Sequence, residues 1–278
     1  MIIIKLLGGL GNQMFQYAAG RRLSYIHNTP LQLDTSELNR LKTRRYELNC
    51  FNIEGEVIKR QNNGLVGRII KGLIKKENIY VEKDFRFDRN VLTLPDNVTL
   101  VGYWQSEKYF SEIEGIIRHE FTFNHGPSSK IFAIVKKIKS SESVGIHFRR
   151  TDYVNNKKFF HYHGVCSLDY YRQALSLIKS RLKSPEFYIF SDDLNWVNRN
   201  FKIEYPKFFV DLNLNGKDYE DLRIMSHCKH NIIANSTFGW WGAWLNKNKN
   251  KIIISPRKWF ANMSINTEDL IPSSWIRI

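Results

Sequence analysis

The sequence predicts an α/β fold whose second half carries a parallel sheet, and three observations point to it. The chain opens on strand, glycine turn and helix: residues 2–7 are apolar apart from Lys5, then come Gly8, Gly9 and Gly11, and Phe15, Ala18, Ala19 and Leu23 recur at helical spacing over 14–26. From residue 143 onward, short apolar runs alternate with amphipathic stripes, the pattern of strands joined by crossover helices. Polar clusters follow three of those runs directly, and the carboxyl ends of strands are where open parallel sheets bind ligands.

In chain order, residues 2–7 form a strand and the stretch Gly8-Gly9-Leu10-Gly11-Asn12-Gln13 a tight loop. A dinucleotide fingerprint needs a third glycine where Met14 stands, which excludes a nicotinamide site. Residues 59–76 contain six cations and no acid, with Leu65, Val66, Ile69, Ile70, Leu73 and Ile74 at helical spacing. Such a basic amphipathic helix either lies on an anionic bilayer or packs its stripe on the core. Residues 98–103 form another strand. A polar stretch around Gly126-Pro127, followed by a basic helix to Lys139, divides the chain into domains 1–130 and 131–278. In the second domain the strands fall at 143–148, 187–191, 207–211, 231–234 and 251–255. Ser167 caps a helix striped by Tyr171, Leu175, Ile178 and Leu182, and further helices cover 196–201, 218–228 and the run from Gly239.

Composition narrows the class. At 278 residues, 42% hydrophobic and 25% charged, the chain suits a folded protein of one large or two ordinary domains. A net charge of +15 implies an anionic partner: a nucleotide, a nucleic acid or an acidic membrane surface. Three scattered cysteines without a CxxC pair suit a reducing compartment. The first residues lack a signal-peptide pattern and no apolar run nears the ~18 residues of a membrane span, so the expected location is cytoplasmic.

The densest chemistry lies in residues 144–154. An apolar strand ends there in His147, Arg149, Arg150 and Asp152. A guanidinium stays charged and offers phosphate a planar two-bond fork, so paired arginines at a strand end suit a pyrophosphate. Ser191 and Asp192 follow the next strand. Asn235, Ser236, Thr237 and Phe238 follow a third and open a helix, whose free N–H groups also bind phosphate. Guanine offers two adjacent donors that one carboxylate meets. Asp221 is the candidate, with Asp192 and Asp193 competing; the ordinary alternative is a helix charge paired with Arg223 or Lys217. No Asp-x-Asp is present, and His161-x-His163 and the His227/His230 pair lack a third ligand in sequence. No metal is expected.

Four stretches also resemble, in order, the motifs of glycosyltransferase family 11, the α-1,2-fucosyltransferases, in a bacterial form without a membrane anchor. They are Gly8 to Ala18, Gly102 to Phe110, the His147-Phe148-Arg149-Arg150-Thr151-Asp152 segment shared with α-1,6- and protein O-fucosyltransferases, and Asn235 to Trp241. The resemblance implies a GT-B-like fold of two Rossmann-like domains facing a cleft, the C-terminal one holding GDP-fucose and the N-terminal one facing the acceptor. It implies metal-free, inverting transfer of L-fucose to the 2-hydroxyl of a terminal galactose on an oligosaccharide or lipid-linked glycan, in lipopolysaccharide O-antigen or other surface glycan synthesis. The enzyme would be cytoplasmic, with or without peripheral contact at the inner membrane face.

By the same resemblance, at least one of Arg149 and Arg150 touches the β-phosphate, and the other either joins it or holds Asp152 and the strand end. His147 and Asp152 position the diphosphate or ribose, or brace the turn. Ser236, Thr237 and Phe238 hold phosphate and base, and Asn12 orients the acceptor hydroxyl or the sugar. No general base stands out among Asp34, Asp152 and Glu107. Rhamnosyl or mannosyl transfer from a GDP-sugar is the near alternative. A nucleic-acid-binding protein would explain the charge, but the basic residues form no DNA or RNA motif. A lectin would explain the tryptophans but not the diphosphate cluster.

Overall fold

The structure is a computed structural model of the chain and describes residues 1–41, 44–59, 78–151, 157–212, 217–262 and 264–278. Asp152 and the basic run 60–76 lie outside the described residues. No described helix is long and apolar enough to cross a membrane. The chain divides into two units between Asn124 and His125, with Asn266–Leu270 belonging to the first.

The first unit is built on a parallel sheet ordered β3-β2-β1-β5-β4, from β1 (Ile2–Lys5), β2 (Leu31–Asp34), β3 (Glu56–Ile58), β4 (Asn78–Val81) and β5 (Val98–Val101). β1 is central and its Ile2, Ile3 and Ile4 are buried, as befits a parallel strand covered on both faces. Helix α1 (Leu10–His27) starts four residues before the expected Met14, so Asn12 sits in its first turn and not in a loop. Gly8, at φ 74°, and the extended Gly9 complete the turn between them, which frees the next residues to be helical. The strands β2, β3 and β4 escape a search for apolar runs because each is short and includes polar residues, Gln32 and Asp34 in β2, Glu56 in β3 and Asn78 in β4, where β1, of four residues, has three successive isoleucines.

The second unit is a six-stranded sheet ordered β11-β10-β9-β6-β7-β8, all pairings parallel. Its strands are β6 (Glu142–Phe148), β7 (Pro185–Ser191), β8 (Lys207–Phe209), β9 (His230–Ile232), β10 (Ile253–Ser255) and β11 (Ile276–Arg277). The α/β class with parallel sheets is therefore the one the sequence predicts. One core packs Val144, Ile146, Phe148, Phe187 and Ile189 beneath the helix Leu168–Arg181, which Ser167 caps. The other packs Tyr188 and Phe190 under the helices Ser129–Ser140 and Tyr219–His227. Ser128 caps the first of these.

Helix Thr237–Trp244 packs on helix Tyr219–His227, where a side chain at Gly242 would run into Met225. Both helices start at the carboxyl edge of the sheet, since each follows a strand of a parallel sheet. Gly242→Val should destabilise the protein by about 1–3 kcal/mol through overpacking, read as a lower urea midpoint at unchanged slope.

Candidate active site

Strand β6 sits at the centre of its sheet between β7 and β9. Its side chains alternate between two faces. Val144, Ile146 and Phe148 join one core. Gly145 and His147 look the other way: a methyl on Gly145 would meet Asn231 at 3.1 Å and Cys228 at 3.2 Å, and the His147 ring lies 5.7 Å from that of Phe238. Gly239 lets the helix end close over His147, because a Cβ there would stand 2.6 Å from Nδ1. His147 is buried and its Nδ1 has no hydrogen-bond partner among the described residues. Burial, then the charge of Arg149, lowers its pKa to about 4, so the imidazole is neutral at pH 7.

The two arginines have different surroundings. The Arg150 guanidinium lies 3.3 Å above the Trp196 ring, with Nε 3.9 Å from Asp193, a close cation–π contact. Trp196 packs on the Val144–Phe148 core. Arg149 acts on the opposite side, through its charge on His147, and its Nε is 3.5 Å from Asp192. Asp192 stands one step past the Phe148↔Ser191 register. Its carboxylate accepts the backbone N–H of Arg150 at 2.9 Å and of Thr151 at 3.0 Å, so it clamps the chain leaving β6. Asp193 accepts from Trp196 N at 3.0 Å and caps the helix Leu194–Asn200, while Ser191 Oγ accepts from Asp193 N at 2.9 Å.

Beyond β9, Asn235 donates to the carbonyls of His163 at 2.9 Å and Trp259 at 3.0 Å, fixing the approach to the helix. Ser236 then occupies the N-cap in extended conformation without using its hydroxyl as a cap. Thr237 and the half-buried Phe238 form the first turn. Sequence order thus brings His147, Arg149, Ser191, Asp192, Ser236, Thr237 and Phe238 to one edge, on three adjacent strand ends.

Asp221 lies in the first turn of helix Tyr219–His227. Arg223 does not pair with it. That guanidinium takes Glu220 at 2.6 Å and the His125 carbonyl at 2.8 Å, since residues three apart share a helix face and residues two apart do not. Asp221 Oδ1 is buried without a hydrogen-bond partner among the described residues. Burial, then the negative charges of Asp218, Asp211 and Glu220, pushes its pKa up to about 7.

The first unit gathers a second cluster. Gln16 accepts from Leu7 N at 2.9 Å and donates to the Gly102 carbonyl at 3.0 Å, tying the glycine turn to the segment after β5. Gln105 Nε2 donates to Asn12 Oδ1 at 3.1 Å. Gln105 is buried and its Oε1 has no partner among the described residues. Trp104 holds a left-handed φ of 56°, a conformation that costs a side-chain-bearing residue about 1–2 kcal/mol. Glu82, just past β4, accepts the N–H of Tyr103 at 2.6 Å and of Trp104 at 2.8 Å. Burial pushes its pKa up to about 6. Ser106 donates to the Asp269 carbonyl at 2.7 Å.

Among the expected bases, Asp34 is buried and accepts Ser36 N at 2.9 Å, and Glu107 lies on a short turn of helix. Of the histidines weighed as ligands, His230 Nε2 is 2.9 Å from Glu142, its Nδ1 accepts from Ile252 N, and His227 Nδ1 is 2.8 Å from the Arg223 carbonyl. No described group of three or more His, Cys, Asp or Glu could hold a metal. Glu82, Gln105 and Trp196 were not anticipated as site residues; only Gln105, inside the second motif, carried a signal.

The raised Asp221 pKa has a signed consequence. From about pH 4 to about 7 the folded protein keeps a proton that the unfolded chain releases, so this carboxyl's contribution to stability falls across that window and levels off above it. Asp221→Asn should therefore be the more stable protein at pH 8, by on the order of 1 kcal/mol or more, with the difference shrinking toward pH 4. Urea denaturation at the two pH values measures it.

Comparison with known proteins places the chain in a family. The family model for glycosyl transferase family 11 matches residues 1–278. An α-1,2-colitosyltransferase of Escherichia coli is 32% identical, aligned over 100% of this chain and 99% of its own. The E. coli O-antigen biosynthesis glycosyltransferase WbnK is 35% identical over 98% and 99%. The galactoside α-(1,2)-fucosyltransferase 2 of Hylobates lar is 26% identical over 88% and 69%. A NodZ α-1,6-fucosyltransferase soaked with GDP-fucose shares the fold at TM-score 0.50 and 12% identity, covering 88% of this chain and 92% of that one. With a family model matched along its whole length and two full-length relatives above 30% identity, the chain belongs to glycosyltransferase family 11.

Proposed function

We propose that this glycosyltransferase moves L-fucose from GDP-β-L-fucose to the 2-hydroxyl of a terminal galactose, with inversion, in the synthesis of a lipopolysaccharide O-antigen or similar surface glycan. The observation that carries the donor reading is the convergence of Arg149, His147 and the Ser236–Phe238 helix end on adjacent strand ends, beside a helix whose Asp221 is half-buried, with Oδ1 lacking a hydrogen-bond partner among the described residues. The fucosyl and galactosyl details rest on motif resemblance and on a family that includes galactoside fucosyltransferases.

Breaking the fucose–phosphate bond leaves growing negative charge on GDP. Arg149 and the N–H groups of the helix end stabilise it where it grows. Arg150, pinned on Trp196, and Asp192, bound to two backbone N–H groups, hold the strand end that delivers Arg149. Neutral His147 packs between Phe238 and Gly239 and sets the spacing of the helix end from β6. Ser236 and Thr237 hydroxyls reach phosphate, and Ser191 orders Asp193 beside Arg150. Asp221 takes guanine N1–H and the 2-amino group as a carboxylate. Asn12 orients the acceptor hydroxyl or the sugar. The transfer needs no metal.

Arg149→Lys keeps charge but loses the fork. It should lower kcat on the order of 10²-fold, while Arg150→Lys loses less, and equal, near-normal turnover of both would refute the assignment. Calorimetry with EDTA present should show binding of GDP, none of UDP, and none by Asp221→Ala. GDP binding should release a proton near pH 6.5, visible as a heat that varies with buffer ionisation enthalpy.

A second reading has one specific support, the 32% identity to a colitosyltransferase. Assay with the GDP derivatives of fucose and of colitose, followed by NMR of the linkage formed, separates the two donors.

A further inference from the structure

Glu82 belongs to no motif that the transfer reading uses, yet it is the residue that shapes the second motif. β4 ends at Val81, and Glu82 N donates to the Val101 carbonyl at 2.8 Å, which brings its carboxylate alongside the segment leaving β5. Both oxygens are then used: Oε2 accepts Tyr103 N at 2.6 Å and Oε1 accepts Trp104 N at 2.8 Å. Gly102 admits the carboxylate, since a Cβ there would lie 2.8 Å from Oε2. Two successive backbone N–H groups pointing at one anion require a turned backbone, and Trp104 supplies it with its left-handed φ of 56°.

The next residue is Gln105, whose amide donates to Asn12. Three features oppose a purely structural reading of this segment. Trp104 Nε1 and Gln105 Oε1 are both buried without partners among the described residues. A segment kept only for stability would avoid two orphaned polar atoms and a strained tryptophan. Charge-assisted bonds from the two amides to the half-buried Glu82 carboxylate are the means to hold such a segment in place.

We propose that Glu82 is a positioning residue for glycosyl transfer: by binding the Tyr103 and Trp104 amides it fixes the turn that aims Gln105 at Asn12, and so sets the Asn12 amide for the acceptor hydroxyl or the sugar. Gln105 is the link through which it acts. The inference rests on the role proposed for Asn12, and the experiment separates the two.

The test is steady-state kinetics of Glu82→Gln, Gln105→Leu, their double variant and Asn12→Ala, with calorimetric GDP affinity and melting curves on each. Glu82→Gln keeps size but offers one acceptor where two N–H groups need two. The expected result is a kcat lower by on the order of tenfold or more in Glu82→Gln and in Gln105→Leu. GDP affinity should stay within about twofold, because the donor residues lie in the other unit. The double variant should be no slower than the slower single one, as expected of two residues acting through one contact. Wild-type kcat in Glu82→Gln, or losses that multiply in the double variant, would overturn the inference. Turnover and GDP affinity lost together mark a role in folding alone and overturn it too. A slow Asn12→Ala with a normal Glu82→Gln faults Glu82 only; a normal Asn12→Ala faults the Asn12 reading and this inference with it.

Discussion

The alternation of side chains along β6 is the constraint on which the cluster at its carboxyl edge depends. Because β6 is central, one face of the strand must fill a core and does so with Val144, Ile146 and Phe148. That leaves Gly145 and His147 for the face where helices Tyr219–His227 and Thr237–Trp244 pack. Arg149 and Arg150 inherit the alternation as the strand ends. One guanidinium lies on Trp196 and the other beside Asp192, its charge felt by His147. Two arginines adjacent in sequence thus take unequal parts without any difference in their chemistry. Asp192 makes the arrangement rigid by binding the two amides where the strand gives way to turn.

Burial does the corresponding work at Asp221. A carboxyl with an unpartnered oxygen and Asp218, Asp211 and Glu220 for neighbours is a liability to the fold. Strain plays this part in the first unit, where the left-handed Trp104 is held against its preference by Glu82. At both places the local arrangement costs stability, the kind of local conflict that folds tolerate at functional sites.

Much of the donor-side cluster was legible in the sequence, because an apolar run that stops at a polar cluster marks both a strand and its carboxyl edge. His147, Arg149, Ser191 and Ser236 could be placed together on that basis before any coordinates. What the pattern could not give was side-chain allegiance. Asp192 stands beside the arginines in any reading, but only the β6·β7 register shows that it takes the amides of Arg150 and Thr151. Asp221 and Arg223 look like a helix pair until the i,i+3 spacing awards Arg223 to Glu220. In the first half, β2, β3 and β4 combine three or four residues with polar positions, so no apolar run marks them as it marks β1. Glu82 was hidden for the same reason, a lone acid after a four-residue strand. Asn12 carried its motif's signal but was expected in a loop, and it lies in the first turn of α1 because Gly8 and Gly9 complete the turn without the third glycine.

The central claim is that the carboxyl edge around β6 binds a guanosine diphosphate sugar without a metal. A crystal structure of the protein grown with GDP and EDTA tests it most directly. The account predicts guanine on the Asp221 carboxylate and the diphosphate between the Arg149 guanidinium and the amides at Ser236–Phe238. A nucleotide bound at another edge, or a diphosphate held by Arg150 with Arg149 turned away, would contradict it.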